Sequence, residues 1–477
     1  MSDDNGMKLE LPIVTVAPIV KQYGEQFAKL FENRCQFQHF ENYLTGLITL
    51  PNKSMSNITR CILESADKTN LSRFFSDAPW KEKAINDARV KLMNEQTRPW
   101  RRAKEIKSLS LDDTLCEHVG DLFDYVARHY DHSDGRYPLA HNPVTSHYGC
   151  GAVRFPVDLV LYRRYEEFTA WEDYVHKCLP QAEIPRESKA RAKFQRQVEP
   201  TLLQDPEFAQ LHGQFQTKLQ LACQLIDQAV AHDLEFDVVL FDGWYLAPPV
   251  VECVGKHHKD WVSVLKKNRN LESYSFTLKD KDGQALRLPG PEIKTEDLVP
   301  LIPRSAFKPV QIDDKTYWTF TFTPRIPSLG KVRLVISFAN EDLTGTYVVL
   351  VTNRCDWAAR RILVTYLRRW PIETFYQDSK QYLGLDDYRM RGAEAFQKHW
   401  CLVFVAYSLL HLDCLLATDP KALIPDKTIG EACRQQAQAL IEALILYTHE
   451  RLSNGTDVLE LLSNLFAAQQ PVKSRMT

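Results

Sequence analysis

The sequence predicts an α/β protein with helical ends and a mixed sheet that is interrupted by a β-rich insertion. Residues 1–105 carry apolar side chains at helical spacing, without strand-like alternation. From Glu105 onward, short apolar runs rich in β-branched residues alternate with helical segments, which is typical of a sheet covered by helices. The last predicted helical segment covers residues 430–467.

The composition is that of a globular protein with several structural units. Of the 477 residues, 44% are hydrophobic and 25% are charged. The formal net charge of -2 excludes a wholly basic DNA-binding domain, so any nucleic-acid surface has to be a local patch. The 11 cysteines include no C-x-x-C pair, which argues against a zinc knuckle or a disulfide framework. We therefore expect a cytoplasmic protein, and we expect the apolar residues 400–417 to form a buried helix, not a membrane span.

The individual elements follow from short apolar runs and from helical periodicity. Strands are predicted outside the insertion at residues 106–111, 124–129, 153–162, 236–242, 261–265 and 347–351. Strands are predicted within the insertion at residues 274–278, 317–322 and 332–338. Helices are predicted at residues 162–199, 208–232 and 358–382, the first of them as an exposed excursion.

Three acidic residues lie at the ends of predicted strands or helices, and they are almost equally far apart in the sequence. Asp112 follows the first predicted strand, Asp242 follows the short buried strand, and Glu373 lies in the helix after the last strand. Adjacent strands can present two such carboxylates side by side, and a helix can add a third, which makes a site for hard divalent cations such as Mg²⁺. The alternative is that each Asp is an ordinary turn residue.

A spaced set of polar residues surrounds Glu373. The pattern is Tyr366, two residues, Arg369, three residues, Glu373, six residues and Lys380. The offsets of 3, 7 and 14 predict that the four polar side chains lie along one helical stripe and face the same way. A solvated face with ion pairing is the simpler interpretation, but flanking apolar residues predict that the stripe is half-buried. We expect Pro371, inside the pattern, to start or kink the helix that carries Glu373.

This pattern is similar to the Y-(2)-R-(3)-E-(6)-K signature of bacterial insertion-sequence transposases of the DDE type, the cut-and-paste group that forms DNA hairpins. Asp112 is followed two positions later by Thr114, which resembles the first-Asp strand of the family, and Asp242 lies in a segment that resembles its second-Asp strand. The β-rich stretch between Asp242 and Glu373 resembles the insertion that splits the family's RNase H-like core. The resemblance covers about residues 106–412.

The resemblance implies an RNase H-like catalytic core and a DNA transposase activity. Asp112, Asp242 and Glu373 would be the catalytic, metal-binding triad for Mg²⁺, with Mn²⁺ as a substitute. Tyr366, Arg369 and Lys380 would contact the DNA backbone. The expected partners are double-stranded DNA, as transposon terminal inverted repeats and as target, and a second copy of the chain in a synaptic homodimer. No membrane is involved, and the protein would be nucleoid-associated when bound to DNA.

The predicted domain layout combines the pattern with the resemblance. It consists of a helical N-terminal DNA-binding region, the first part of the core, the β-rich insertion, the second part of the core and a helical C-terminal region. The corresponding bounds are residues 1–105, 106–271, 272–345, 346–415 and 416–477.

Several alternatives stay open at the level of sequence. Asp112 and Asp113 are adjacent and point to opposite faces of a strand, so only one can be the ligand, and the D-x-T spacing favours Asp112. Trp318 is a candidate for stacking on a flipped base, although a core position in a sheet is the simpler interpretation. The basic residues at 256–259 and 266–267 are either a DNA-facing edge or solvated turns. The rival functions are a domesticated transposase that only binds DNA and a metal-dependent nuclease of the same fold.

Overall fold

The computed structural model describes residues 10–63, 68–131 and 134–467, and the following elements are those of this part of the chain. The N-terminal segment forms helices α1 (Pro18–Tyr23), α2 (Arg34–Thr49), α3 (Met55–Cys61), α4 (Lys68–Ser76) and α5 (Glu82–Gln96). The predicted helical front is therefore confirmed, except for residues 1–9 and 64–67, which lie outside the described residues.

The middle of the chain contains most of the sheet and a group of helices. Five strands come first: β1 (Ser108–Asp113), β2 (Cys116–Glu117), β3 (Ala127–Arg128), β4 (Leu139–Cys150) and β5 (Val153–Tyr162). Five helices follow: α6 (Tyr165–Phe168), α7 (Trp171–Cys178), α8 (Ser188–Leu202), α9 (Pro206–Gln214) and α10 (Lys218–Ala231). The chain then forms β6 (Val238–Phe241), α11 (Pro248–Lys256) and β7 (Asp260–Val264).

The remaining elements are the predicted β-rich stretch and the C-terminal helices. The β-rich stretch holds β8 (Asn270–Glu272), β9 (Glu292–Lys294), α12 (Thr295–Leu298), β10 (Lys308–Ile312), β11 (Lys315–Phe322), β12 (Arg325–Ile326), β13 (Gly330–Lys331) and β14 (Arg333–Phe338). The last strand, β15 (Tyr347–Thr352), is followed by α13 (Ala359–Leu367), α14 (Pro371–Leu383), α15 (Ala393–Leu416), α16 (Ile429–Ser453) and α17 (Val458–Phe466). The predicted α/β class is confirmed.

The chain divides into two compact units. Within the described residues, the sheet unit comprises Ile106–Gly149 and Val157–Glu373, and the helical unit is drawn from Met1–Glu105, Cys150–Pro156 and Thr374–Thr477. The N-terminal and C-terminal helices therefore belong to one unit. Helix α14 begins in the sheet unit and continues in the helical unit.

One mixed sheet of 11 strands organises the described part of the sheet unit. Its main path runs β10-β11-β14-β15-β7-β6-β1-β4-β2, and β3 and β5 also pair with β4. The neighbours β1, β6 and β7 are parallel, while β4 runs antiparallel to β1. Strands of the predicted insertion therefore extend the main sheet beyond β15. Helix α13 covers one face, where Ile362 and Leu363 pack with Val238 and Leu240 of β6.

The helical unit is built around α15. Helices α2, α4, α5 and α16 all pack against it. By length and composition α15 could cross a membrane, but 83% of its most apolar window is buried inside the protein, as in the core helix of a soluble protein. The prediction of a buried helix at this position agrees with the structure.

Some predicted elements differ from the structure. Strand β4 was not predicted, because its buried residues include polar ones such as His141, Asn142 and His147 that interrupt the apolar pattern. The helix predicted at 208–232 is two helices, since Phe215 is extended and Thr217 starts α10 with a capping box. The strand predicted at 274–278 is absent from the described residues, where a short 3-10 turn occupies Ser273–Ser275.

Candidate active site

Asp112 and Asp242 lie at the same edge of the sheet, on neighbouring parallel strands. Ser108 pairs with Val238 and Ser110 with Leu240, so extending this register by two positions brings Asp112 level with Asp242. Residues two apart on a strand share a face, so both carboxylates lie on the face of Leu240, which is the face covered by α13. The structure therefore brings the first two predicted site residues together.

The signature segment is not one continuous helix. Tyr366 lies in α13, Arg369 lies in the turn that follows, and Glu373 and Lys380 lie in α14. Pro371 is the first residue of α14, as expected for a proline that lacks a backbone N–H. The prediction of a single helical stripe was therefore wrong, because the chain bends before Pro371. The bend nevertheless keeps Arg369 next to Glu373.

Arg369 joins two of the three predicted carboxylates. Its Nη1 lies 2.5 Å from Oδ2 of Asp112, and its Nη2 lies 2.8 Å from Oε1 of Glu373. The side chains of Arg369 and Asp112 are only 15% and 16% exposed, whereas that of Glu373 is 39% exposed. The guanidinium group is also close to the ring of Tyr366, with 6.0 Å from the central carbon to the ring centroid. Four of the six predicted site residues are thus connected around Arg369 and Asp112.

Burial and the neighbouring charges shift the pKa values of both Asp112 and Arg369. Burial raises the pKa of Asp112 to about 7; Arg369 opposes this rise, and the charges of Glu373, Asp113 and Asp242 add to it. For Arg369, burial lowers the pKa, but the carboxylates of Asp112 and Glu373 and the hydroxyl of Tyr366 more than compensate, so the pKa is raised. One arginine therefore neutralises only part of an acidic site.

The donor set fits hard divalent cations. Three carboxylates offer the oxygen ligands that Mg²⁺ and Mn²⁺ prefer. Arg369 lies between Asp112 and Glu373. Asp112, Asp242 and Glu373 all belong to the described residues, and their carboxylate oxygens are not all within 4.8 Å of one another. Holding a cation with all three would require Arg369 to release one of them.

Asp113 has a different environment from Asp112. Its carboxylate accepts hydrogen bonds from Lys218 at 2.8 Å, from the amide of Asn142 at 2.9 Å and from the hydroxyl of Tyr245 at 2.8 Å. Burial acts to raise the pKa of Asp113, but Lys218 and these hydrogen bonds outweigh burial and lower the pKa. Asp113 is therefore held by three donors on the opposite face of the strand, whereas Asp112 faces Arg369.

The turn after β6 holds Asp242 in place. Its Oδ1 accepts hydrogen bonds from the backbone N–H groups of Trp244 and Tyr245, at 2.9 and 3.3 Å. Gly243 is tightly packed, because a Cβ there would lie 2.8 Å from the carbonyl oxygen of Val264 and 3.3 Å from Cγ of Lys266. A residue with a side chain would displace this turn, so the glycine is required for the position of Asp242.

The other predicted residues lie in separate places. Lys380 is half-buried two turns beyond Glu373 on α14, in the helical unit. Trp318 lies in β11, where it pairs with Pro309 and Phe338 and is half-buried, so it is not a fully buried core residue. Lys266 and Lys267 are exposed at the end of β7, and Lys266 adjoins the Asp242 turn.

Comparison with known protein families identifies the superfamily of the chain. A model of the DDE superfamily endonucleases matches residues 26–291, more than half of the chain. The chain belongs to the DDE superfamily. A second model, the transposase DDE domain, matches residues 209–409. Asp112 lies in the first match, Glu373 in the second and Asp242 in both. None of the curated proteins compared with the chain matches it.

The family matches establish the general class of activity. The two matches support a DDE transposase; such domains imply DNA binding and nuclease activity, and the family generally uses divalent metal ions. Sequence reasoning missed the residues that position the site, namely Lys218, Asn142 and Tyr245 around Asp113. Tyr245 lies three positions after Asp242, so its place in the Asp242 segment was the one available signal. Trp370, inside the signature, is 68% exposed beside this site.

Proposed function

We propose that the chain is a cut-and-paste transposase of the Y-(2)-R-(3)-E-(6)-K group. It would cut transposon ends by metal-dependent phosphodiester hydrolysis and hairpin formation, and join them to target DNA. The observation that supports this most directly is the level position of Asp112 and Asp242 on β1 and β6, with Glu373 linked to Asp112 through Arg369. Three carboxylates from two strands and a helix form the acidic site that such chemistry requires.

Asp112, Asp242 and Glu373 are proposed to hold Mg²⁺, with Mn²⁺ as a substitute. The bound ions would activate the attacking water or hydroxyl group and stabilise the leaving oxygen. Asp112 and Asp242 are held by the sheet and by the Asp242 turn, so their spacing is set before DNA binds. Glu373 is more exposed and lies in the first turn of α14, so it can adjust to complete the site.

Tyr366, Arg369 and Lys380 are proposed to contact the DNA backbone. Arg369 pairs with Asp112 and Glu373 in this structure. Divalent cations would neutralise both carboxylates and so weaken their ion pairs with Arg369. Its planar guanidinium group can then bind a phosphate with two hydrogen bonds. Cation binding would therefore be coupled to the binding of Arg369 to the DNA strand that is cut.

The architecture proposed for this function follows the domain bounds given above. An RNase H-like core would comprise β5, β4, β1, β6 and β7, whose order puts the two Asp residues on central parallel strands. The synaptic homodimer is supported by exposed aliphatic side chains on α16 and α17: Ile441, Ile445, Leu446, Val458, Leu459 and Leu462. Of the proposed C-terminal region, residues 468–477 lie outside the described residues. The proposed location is the bacterial cytoplasm, on the nucleoid when DNA is bound.

The test uses labelled DNA that carries the inverted repeats found beside the gene. We expect Mg²⁺-dependent nicking, then a hairpin that runs on a denaturing gel at about twice the length of the linear strand, and then joined products with target DNA. End binding without cleavage would instead indicate a domesticated, DNA-binding protein. Cleavage without hairpins or joined products would indicate a nuclease of the same fold. Either result would overturn the proposal.

A further inference from the structure

A second set of metal-ligating side chains lies between α10 and α11. Among the residues that the structure describes, Asp227, Cys253 and His257 are the one group of three His, Cys, Asp or Glu residues whose ligand atoms all lie within 4.8 Å of one another. The group is separate from the acidic site, since it contains neither Asp112 nor Asp242 nor Glu373. The structure assigns to these residues, together with Cys223, a zinc site.

The spacing of the residues explains why they converge. Cys223 and Asp227 are four residues apart on α10, and Cys253 and His257 are four residues apart at the end of α11. Residues at this spacing share one face of a helix. The two helices pack against each other, so each contributes two ligands to one site. Because no C-x-x-C pair is involved, the search for zinc-knuckle spacing in the sequence did not reveal it.

Two distances within the group lie on either side of those expected for a tetrahedral site. His257 Nε2 lies 2.6 Å from Asp227 Oδ1, and Cys253 Sγ lies 3.9 Å from the same oxygen. Ligand atoms around tetrahedral zinc are separated by roughly 3.3–3.8 Å, as follows from metal–ligand distances of about 2.0–2.3 Å. Zinc therefore requires Asp227 to move about 1 Å from His257, and the Asp227 side chain is 62% exposed and has room to do so.

Cys223 is the proposed fourth ligand, although its thiol is not among the three ligand atoms that already converge. The thiol of Cys253 donates a hydrogen bond to the backbone carbonyl oxygen of Cys223 at 3.8 Å, and the thiol of Cys223 donates one to the Pro249 carbonyl oxygen at 3.5 Å, so Cys223 lies beside the group. A shallow cavity of about 440 Å³ lined by Cys223 and Asp227 provides access from solvent. Two thiolates, one imidazole and one carboxylate form a donor set that selects zinc over the Mg²⁺ of the acidic site.

The position of this site in the chain gives it a structural consequence. Helix α10 precedes β6, and α11 starts six residues after Asp242. A metal that joins α10 and α11 would therefore stabilise the helices that precede and follow β6, the strand before Asp242. Because zinc would bind the folded protein and not the unfolded chain, it should also raise the melting temperature.

The test is zinc binding by the full chain, kept reduced and in excess Mg²⁺ so that the acidic site is occupied. Competition with a chromophoric chelator should show one tight zinc per chain, and Co²⁺ as a probe should give the absorption band of a cobalt–thiolate bond. Cys253→Ser should weaken zinc binding by at least about 100-fold and reduce the band, because only the thiolate of Cys223 remains. Cys35→Ser, a change of an exposed cysteine on α2, should bind as the wild type does.

A second variant keeps the test decisive if Cys253→Ser does not fold. Asp227→Asn changes an exposed side chain of nearly the same shape, and it should weaken zinc binding by at least about 10-fold with unchanged circular dichroism. Absence of tight zinc binding by the wild type would overturn the assignment. So would wild-type affinity in Asp227→Asn, because the carboxylate would then be only an ion-pair partner of His257.

Discussion

Arg369 and Asp112 are 257 positions apart in the chain, yet their side chains form an ion pair in which Nη1 and Oδ2 lie 2.5 Å apart. The same guanidinium group reaches Glu373 one turn further along the chain. Arg369 therefore holds the helix that carries the third carboxylate against the strand that carries the first. In the proposed function, it leaves this position to bind phosphate when cations arrive.

Arg369→Ala should weaken binding to transposon-end DNA in the presence of Mg²⁺. The salt dependence of the affinity should flatten by roughly one unit of slope, because one phosphate contact is lost. Lys380→Ala should have the same effect, and Arg369→Lys should rescue only part of the affinity, since Lys cannot form two parallel hydrogen bonds. The measurement is a binding titration at several salt concentrations.

Arg191→Ala is the matched control for Arg369. Arg191 also pairs with two carboxylates of the sheet unit, Glu166 and Glu172, but lies outside the signature. Its removal should leave the salt slope unchanged. An unchanged slope in Arg369→Ala as well would mean that Arg369 has only a structural role.

Asp112→Asn and Asp113→Asn should separate chemistry from stability. Asp112→Asn should abolish cleavage, because it removes a proposed metal ligand, and the chain should stay folded, because Arg369 keeps Glu373 as a charged partner. Asp113→Asn should lower the free energy of unfolding by about 1–3 kcal/mol, because Lys218 loses its charged partner, while cleavage stays within about tenfold of the wild type. Thermal melts and nicking assays below the melting temperature measure both. The reverse pattern would identify Asp113 as the ligand.

Gly243→Ala should destabilise the protein and impair cleavage. The new Cβ would lie 2.8 Å from the Val264 carbonyl oxygen, which is a backbone atom, so the Asp242 turn has to shift at a cost of about 1–3 kcal/mol. Gly213→Ala is the control, because a Cβ at this helical position meets nothing within 4 Å. It should be neutral or slightly stabilising. Equal unfolding free energies and cleavage rates for the two variants would refute the role given to Gly243.

The stability of the helical unit should fall as the pH drops from about 6.5 to about 4. His399 is fully buried; its Nδ1 accepts a hydrogen bond from Tyr43 at 2.8 Å, and its Nε2–H donates one to the Gly384 carbonyl at 2.9 Å. This neutral form is required by burial, which lowers the pKa of His399 from 6.5 to about 4. Below pH 6.5 the unfolded chain binds a proton that the folded state does not, at a cost of roughly 3 kcal/mol by pH 4.

His399→Gln should therefore flatten the dependence of the unfolding free energy on pH in this window, measured by denaturant titration at each pH. His449→Gln changes an exposed histidine of α16 and should keep the wild-type slope. If His399→Gln also keeps that slope, His399 is not the group that titrates.

The parts of the fold that were predicted from sequence are those set by local pattern. The β6 run is apolar and fully buried, and Asp242 follows directly, so both the strand and the position of its carboxylate could be predicted. Pro371 similarly predicted the start of α14. Strand β4 could not be predicted, because neighbouring strands bury polar side chains that a sequence pattern assigns to the surface.

The interactions within the site depend on tertiary structure. Nothing in the spacing of Tyr366, Arg369 and Glu373 indicates that Arg369 would pair with Asp112, because that contact depends on how α13 packs on the sheet. The stripe prediction failed for a local reason, the bend before Pro371. The different environments of Asp112 and Asp113 could not be predicted from the sequence, because the hydrogen-bond donors around Asp113 come from α10, β4 and the Asp242 turn.

The most direct test of the account is Mg²⁺-dependent nicking of transposon-end DNA by Asp242→Asn. The substitution removes one negative charge from the proposed metal site and keeps the shape of the side chain, whose Oδ1 still accepts the backbone hydrogen bonds of the turn. We predict end binding at wild-type affinity with no detectable nicking. Nicking within about tenfold of the wild type, a barrier change of only about 1.4 kcal/mol, would contradict the assignment of Asp242 and with it the proposed catalytic triad.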